Sequence, residues 1–217
     1  MTTVIVLDFE TTGMSPAYGD RVTEVGAVLI ENGRILDSFQ SLVNAGVWIS
    51  PFIEQLTGIT NAMIRKAPPI EEVMEKLARF VGNSPLVAHN AAFDRKFLDA
   101  ELAHIGRACR QEIACSMLIS RRVFPDAPSH SLGELVRYAN LPTDGVYHRA
   151  LADATMTAHL WLRMQTELRS RYGLAGAPFE LMRKLQQVPK RQVADYMRRL
   201  AEVVDRSGVD MFRTDRW

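Results

Sequence analysis

Val4 to Leu7 is an unbroken apolar run rich in β-branched residues, the composition of a strand buried on both faces, and it leads straight into Asp8 and Glu10. Side chains two residues apart on a strand point to the same face, so an interior strand of this chain carries two carboxylates side by side. Burying even one unpaired carboxylate is costly. Two on one face call for cations, supplied either by Arg or Lys partners or by metal ions, unless the strand end is open to solvent.

The rest of the chain must build a core around that strand. Segments 21–30 and 34–43 flank Asn32-Gly33, a strong signal for a tight hairpin, which makes the first three strands antiparallel neighbours. Within 51–65, IEQLTGIT reads as a short helix broken at Gly58 and restarted by a Thr60 cap. Pro68-Pro69 and Gly82 frame an amphipathic helix over IEEVMEKLARFVG. A strand over 85–89 precedes a helix over 91–105, and a short strand near Ile113 precedes helices over 116–123, 131–139 and 149–171. This order predicts an α/β fold, a mixed sheet flanked by helices. A Gly-rich stretch at 171–178 reads as a hinge, followed by helices over 179–187 and 189–206. The second of these carries Val193, Met197, Leu200 and Val204 as one apolar stripe. The expected division is a main domain of residues 1–172 and a helical C-terminal extension of residues 173–217.

Two more acids stand where side chains can converge beside a sheet. Asp94 lies in HNAAFD at a strand-to-helix junction, and Asp153 lies in HRALADA at the start of the long helix. Each alone suits a helix-start acid that satisfies free N–H groups and the helix dipole. Together with Asp8 and Glu10 they form a hard oxygen donor set suited to Mg²⁺ or Mn²⁺. His148 precedes Asp153 by five positions, which puts it off that helix's Asp153 face and in the loop ahead of it. From there it can bend over the acids as a general base.

The segments VIVLDFETTG, LVAHNAAFD and YHRALADA resemble, in order and spacing, the three motifs of the DEDDh superfamily of 3′-to-5′ exonucleases (DnaQ-like, RNase T and DNA polymerase III ε). The resemblance covers about residues 3–165. It implies a ribonuclease H-like fold with a five-stranded mixed sheet, and two divalent cations, Mg²⁺ or Mn²⁺. Asp8, Glu10, Asp94 and Asp153 match the metal-binding carboxylates. By that match Asp8 bridges both ions, Glu10 and Asp153 complete the site of the attacking water, and Asp94 supports the second ion. His148 matches the general base. Thr11, Thr12 and Gly13 match contacts to the terminal sugar or phosphate, and Phe93, Asn90 and His89 the terminal nucleotide pocket. Leu56 matches a wedge against the base, with Thr57 where some members carry His. Glu24 in RVTEVG stays outside the catalytic set, as a residue that bonds backbone or receives an Arg.

The expected activity is release of 5′-mononucleotides from single-stranded or frayed 3′ ends, with DNA favoured, in proofreading or repair. The alternatives are an RNA 3′-end exonuclease and a non-catalytic polymerase-associated subunit, the latter disfavoured because all five residues are present. A polymerase subunit is a candidate partner for the C-terminal extension. There is no G-x-S-x-G nucleophile elbow and no P-loop or dinucleotide fingerprint, which removes the common hydrolase and nucleotide-binding readings. Charges interrupt the N-terminal apolar run too early for a signal peptide or a span of about 20 apolar residues. With only Cys109 and Cys115, no disulfide framework can form, so an intracellular, cytoplasmic place with no membrane association is expected.

The formal charge of +1 shows no overall basicity. Split at Leu162, however, the chain has 14 Lys plus Arg against 18 Asp plus Glu before the break, and 12 against 7 after it. An acidic part whose excess equals the four proposed ligands is followed by a basic tail suited to a phosphate backbone.

Overall fold

The computed structural model describes residues 3–207, with side-chain burial described through residue 202. Strands β1 (Thr3–Thr11), β2 (Val22–Glu31) and β3 (Arg34–Leu42) are followed by helices α1 (Pro51–Thr57), α2 (Asn61–Ile64) and α3 (Ile70–Val81). Then come β4 (Leu86–Ala88), α4 (Ala91–His104), β5 (Ile113–Cys115), α5 (Ser116–Val123), α6 (Leu132–Tyr138) and α7 (Ala150–Tyr172). The described part closes with α8 (Phe179–Leu185) and α9 (Val193–Ser207). The five strands form one mixed sheet in the order β3-β2-β1-β4-β5, with β1 to β3 antiparallel and β4 and β5 parallel to β1. Asn32 and Gly33 both take positive φ, 50° and 78°, as a two-residue turn between right-twisted strands requires.

The period-two pattern of β1 sorts its side chains between two cores. Ile5, Leu7 and Phe9 pack with Val73, Met74 and Leu77 of α3 and with Phe97 and Leu98 of α4. Val4 and Val6 face the other way, against Trp161 and Leu160 of α7 and Ile119 of α5. Asp8 and Glu10 extend the Val4 and Val6 row, so both carboxylates emerge on the α7 side at the end of the central strand.

The stretch expected to be a hinge is anchored. Gly173 ends α7 in the left-handed region, and Leu174 and Ala177 are buried immediately afterwards. Gln165 Nε2 also donates to the Ala177 carbonyl at 2.7 Å. Leu181, Met182 and Leu185 of α8, with Val193 and Met197 of α9, join the same core as α7. The α9 apolar stripe is therefore spent on internal packing; the Val204 side chain lies outside the described ones. Its helix begins at Val193, after a short 3₁₀ turn at Lys190–Gln192, because Pro189 interrupts the segment. Among the described residues no helix is long and apolar enough to cross a membrane.

Candidate active site

Asp8 lies opposite Gly26 on β2, and Glu10 lies opposite Glu24. A Cβ on Gly26 would fall 2.2 Å from the Ala150 carbonyl carbon and 2.3 Å from the Leu151 nitrogen. Absence of a side chain at Gly26 is thus what lets the first turn of α7, which carries Asp153, sit directly on the sheet beside Asp8. Asp94 arrives from the other side. Where β4 has ended, the Phe9 N–H has lost its ladder partner and donates to Asp94 Oδ1 at 3.3 Å. Asp94 is only 2% exposed.

His148 precedes α7 in the left-handed region, with φ of 60°, a conformation that non-glycine residues adopt only where their surroundings impose it. Its own N–H donates to Asp153 Oδ2 at 3.0 Å, which closes the loop onto the helix. Ligand atoms of Glu10, His148 and Asp153 all lie within 4.8 Å of one another.

The four acids crowd one another in a poorly solvated place. Burial holds Asp8 well above the usual carboxylate range, and the charges of Asp94, Asp153, Glu10 and Glu24 push the same way. Burial, with Asp153 and Glu24, pushes Glu10 up to about 8 against the opposing Arg149. Burial pushes Asp94 up to about 7, partly offset by its own amide and that of Phe9. Asp153 is also raised, by burial before all else. Among the described residues no Lys or Arg forms an ion pair with any of the four. The oxygen donors are therefore of the kind, and in the state of need, that divalent cations satisfy.

Glu24 shows the contrasting arrangement. It is fully buried and takes Arg149 through two bonds, Nε to Oε2 at 3.0 Å and Nη2 to Oε1 at 2.7 Å. The Ala150 N–H and Gln40 Nε2 complete its shell. Burial raises its pKa, but the Arg149, Ala150 and Gln40 bonds outweigh burial and leave it lowered. The Arg in this constellation thus serves Glu24, and Glu24 also holds the backbone at Ala150, two residues from His148.

A cleft of about 630 Å³ brings together all the residues singled out from the sequence: the five above, Thr11, Thr12, Gly13, Leu56, Thr57, His89, Asn90 and Phe93. Their side chains are not equally free. Thr11 Oγ1 donates to the Gly13 carbonyl at 2.6 Å, and Thr12 Oγ1 accepts the Arg21 N–H at 3.0 Å, so both hydroxyls serve the turn after β1. Thr57 Oγ1 donates to the Ile53 carbonyl and accepts the Ile59 N–H, which fixes the break between α1 and α2. Both His89 ring nitrogens are engaged, Nδ1 with Ser116 Oγ at 2.9 Å and Nε2 with the His130 carbonyl at 3.0 Å. Burial drives its pKa down to about 4, so it is neutral and acts as a strut. Asn90 is different: its backbone makes the turn with φ of 68°, and its exposed side chain makes no cap bond. Leu56 is 42% exposed, and Phe93 packs on Phe97 at a ring distance of 5.0 Å with one side toward the cleft.

Five lining residues went unforeseen in the sequence, Phe9, Met14, Ser50, Phe52 and Ile53, of which Met14 and Phe52 stand out at 72% and 70% exposed. Neither Met14 nor Phe52 carries a motif. Their one local signal is a large apolar residue beside a turn or helix start.

A pH prediction follows from the acids. In the metal-free protein their folded pKa values lie above the unfolded ones, so the folded state holds protons that the unfolded chain releases. Stability is then greatest below about pH 4 as far as these groups go, and declines as pH rises toward about 8, where Glu10 ionises. In chelator, thermal melting should move to lower temperature between about pH 5.5 and 8.5, and Mg²⁺ or Mn²⁺ should remove most of that loss. A melting temperature independent of metal at the higher pH would contradict the donor-set reading.

Comparison with known proteins gives a consistent result. The exonuclease family model named RNase_T matches residues 5–161. The DNA polymerase III subunit epsilon of Aquifex aeolicus is 38% identical over 173 residues, covering 79% of this chain and 85% of that protein. The 3′-5′ exonuclease DinG of Bacillus subtilis is 35% identical over 192 residues, 88% of this chain but 20% of that longer protein. Among solved structures, exonuclease X in complex with 5′ overhanging duplex DNA superposes with a TM-score of 0.66 at 28% identity, covering 84% of this chain and 99% of that one.

Proposed function

Since the chain belongs to the DnaQ-like, DEDDh superfamily of 3′-to-5′ exonucleases, we propose that it trims DNA from free or frayed 3′ ends with two divalent cations, releasing 5′-mononucleotides. The observation that carries this reading is the crowding of four carboxylates, none paired with Lys or Arg among the described residues, beside an exposed histidine. An inert acidic cluster would be expected to hold the kind of counter-charge that Glu24 has in Arg149.

Asp8, Glu10, Asp94 and Asp153 would hold Mg²⁺ or Mn²⁺, which supply charge neutralisation at the phosphate and a more acidic water. His148 takes the proton of the water that attacks the terminal phosphorus, and its place in an open loop lets the proton pass on to solvent. The P–O bond to the penultimate nucleotide's 3′ oxygen breaks, leaving the phosphate on the released 5′-mononucleotide. Leu56, Phe52 and Phe93 offer apolar surface to the terminal base, and Asn90 has amide groups free for its sugar or phosphate. Thr11, Thr12, Gly13, Thr57 and His89 shape the cleft through the turns and strut they hold. DNA is favoured because the similar proteins include a DNA polymerase III subunit and an exonuclease X complex with duplex DNA. Association with a polymerase subunit belongs to the same proposal.

His148→Ala should lower kcat by about 10²- to 10⁴-fold, the usual contribution of a positioned base, with Mn²⁺ affinity little changed. Loss of folding, or full retention of turnover, would remove His148 from the mechanism. Substrate choice is tested on matched DNA and RNA single strands: faster turnover of DNA is expected, and equal or faster turnover of RNA would overturn that part of the proposal.

A further inference from the structure

A second concave surface lies outside the cleft. It is a groove of about 740 Å³ between α8 and the start of α9, lined in part by Lys184, Gln192, Tyr196 and Arg199. Lys190 and Arg191 occupy the short turn that joins the two helices. All four cations are exposed, and among the described residues none is in an ion pair. The one acid in the lining, Asp195, is taken by Arg198. The apolar residues of α9 described here, Val193, Met197 and Leu200, pack inward, so beside Val188 and Pro189 this surface presents cations, amides and a tyrosine.

Helix α5 spans from the cleft to the groove: Ser116, at its start, bonds His89 Nδ1 at 2.9 Å, and Arg122 lies near its other end. His89, in the cleft lining, bonds the His130 carbonyl. Arg122 of α5 donates to the carbonyl of Val188, itself in the groove wall. A band of cations thus runs from Arg121 and Arg122, in the last turn of α5, to the α8–α9 surface, on the helix that starts beside the cleft at Ser116.

Building on the exonuclease reading above, we infer that this band holds the phosphodiester backbone of the nucleic-acid strand whose 3′ end lies in the cleft. Unpaired exposed cations bind phosphates by releasing condensed counterions, and a nearby Tyr offers a base a stacking face. The occupant is a nucleic-acid strand rather than a protein partner because four exposed cations, unpaired among the described residues, line or adjoin this surface and its one acid is already taken by Arg198, which is the charge complementarity a phosphate backbone offers.

The test uses the full chain with Lys184, Lys190, Arg191 and Arg199 all changed to Gln. Binding of a fluorescent single strand of about 20 nucleotides is followed by anisotropy in chelator, alongside turnover of a strand of about 4 nucleotides with metal. The variant should bind the long strand at least about tenfold more weakly, and its log–log salt slope should fall by about 3, roughly 0.7 for each contact removed. Turnover of the short strand should stay within about twofold, which also shows that the variant is folded. Unchanged affinity and slope for the long strand, or equal losses on both strands, would overturn the inference. Wild-type protein unable to cleave either strand would overturn the exonuclease reading instead, while the anisotropy arm still decides the band.

Discussion

Asp8→Asn should lower 3′-end hydrolysis by at least about 10³-fold while raising the melting temperature of the metal-free protein. Both effects have one cause. Asp8 stands at the end of the central strand among three other acids, and burial already pushes its carboxyl well above the usual range. An amide of the same shape removes a charge that the folded protein accommodates poorly, so the apo protein gains stability. It also removes a hard anionic donor, so affinity for the cation falls, and with it the charge neutralisation on which phosphodiester cleavage depends. Thermal melts in chelator and turnover in Mn²⁺ measure the two sides. A loss of apo stability would mean that Asp8 has a counter-charge and is a structural residue.

The second large effect concerns a residue outside the catalytic set. Glu24→Ala should destabilise the protein by about 2 to 3 kcal/mol, mostly from the buried Ala150 N–H left without an acceptor, because the Arg149 side chain is 35% exposed and can turn partly to water. Arg149 loses its carboxylate partner, and the Ala150 N–H loses its acceptor inside the core. Because Arg149 follows His148 and precedes α7, the loop that holds His148 in its left-handed conformation loses its anchor. At temperatures where the variant stays folded, kcat should fall further than metal affinity. Chemical denaturation and Mn²⁺ titration separate the two. A loss below about 1 kcal/mol would show that the Ala150 N–H finds another acceptor.

The acids were legible because two simple periods govern them. Alternation along β1 puts Asp8 and Glu10 on one face, and strand-to-helix junctions locate Asp94 and Asp153. The hairpin at Asn32-Gly33 and the frame of α3 between Pro69 and Gly82 were legible for similarly local reasons. What lay out of reach was anything made by residues distant in the chain. Glu24 was readable as an acid that bonds backbone or receives an Arg, and it does both, but the identity of its partner, Arg149, 125 positions away, was not readable. The same holds for Gly26, whose missing side chain matters only once α7 lies against β2. The spacing of Val193, Met197 and Leu200 announces an apolar face without saying what covers it. Packing into the α7 core supplies the cover and leaves the basic residues of α8 and α9 on the outside.

The central claim is that the four acids and His148 form a metal-dependent site acting from the 3′ end. A single strand labelled at its 5′ end and free at its 3′ end tests it most directly, incubated with Mg²⁺ or Mn²⁺ and compared with the same strand in chelator. The expected result is a ladder of progressively shorter labelled fragments with unlabelled 5′-mononucleotides, present only with metal and absent for Asp8→Asn. Release of the labelled end nucleotide first, internal cleavage, or an undiminished ladder in chelator or from Asp8→Asn would contradict it.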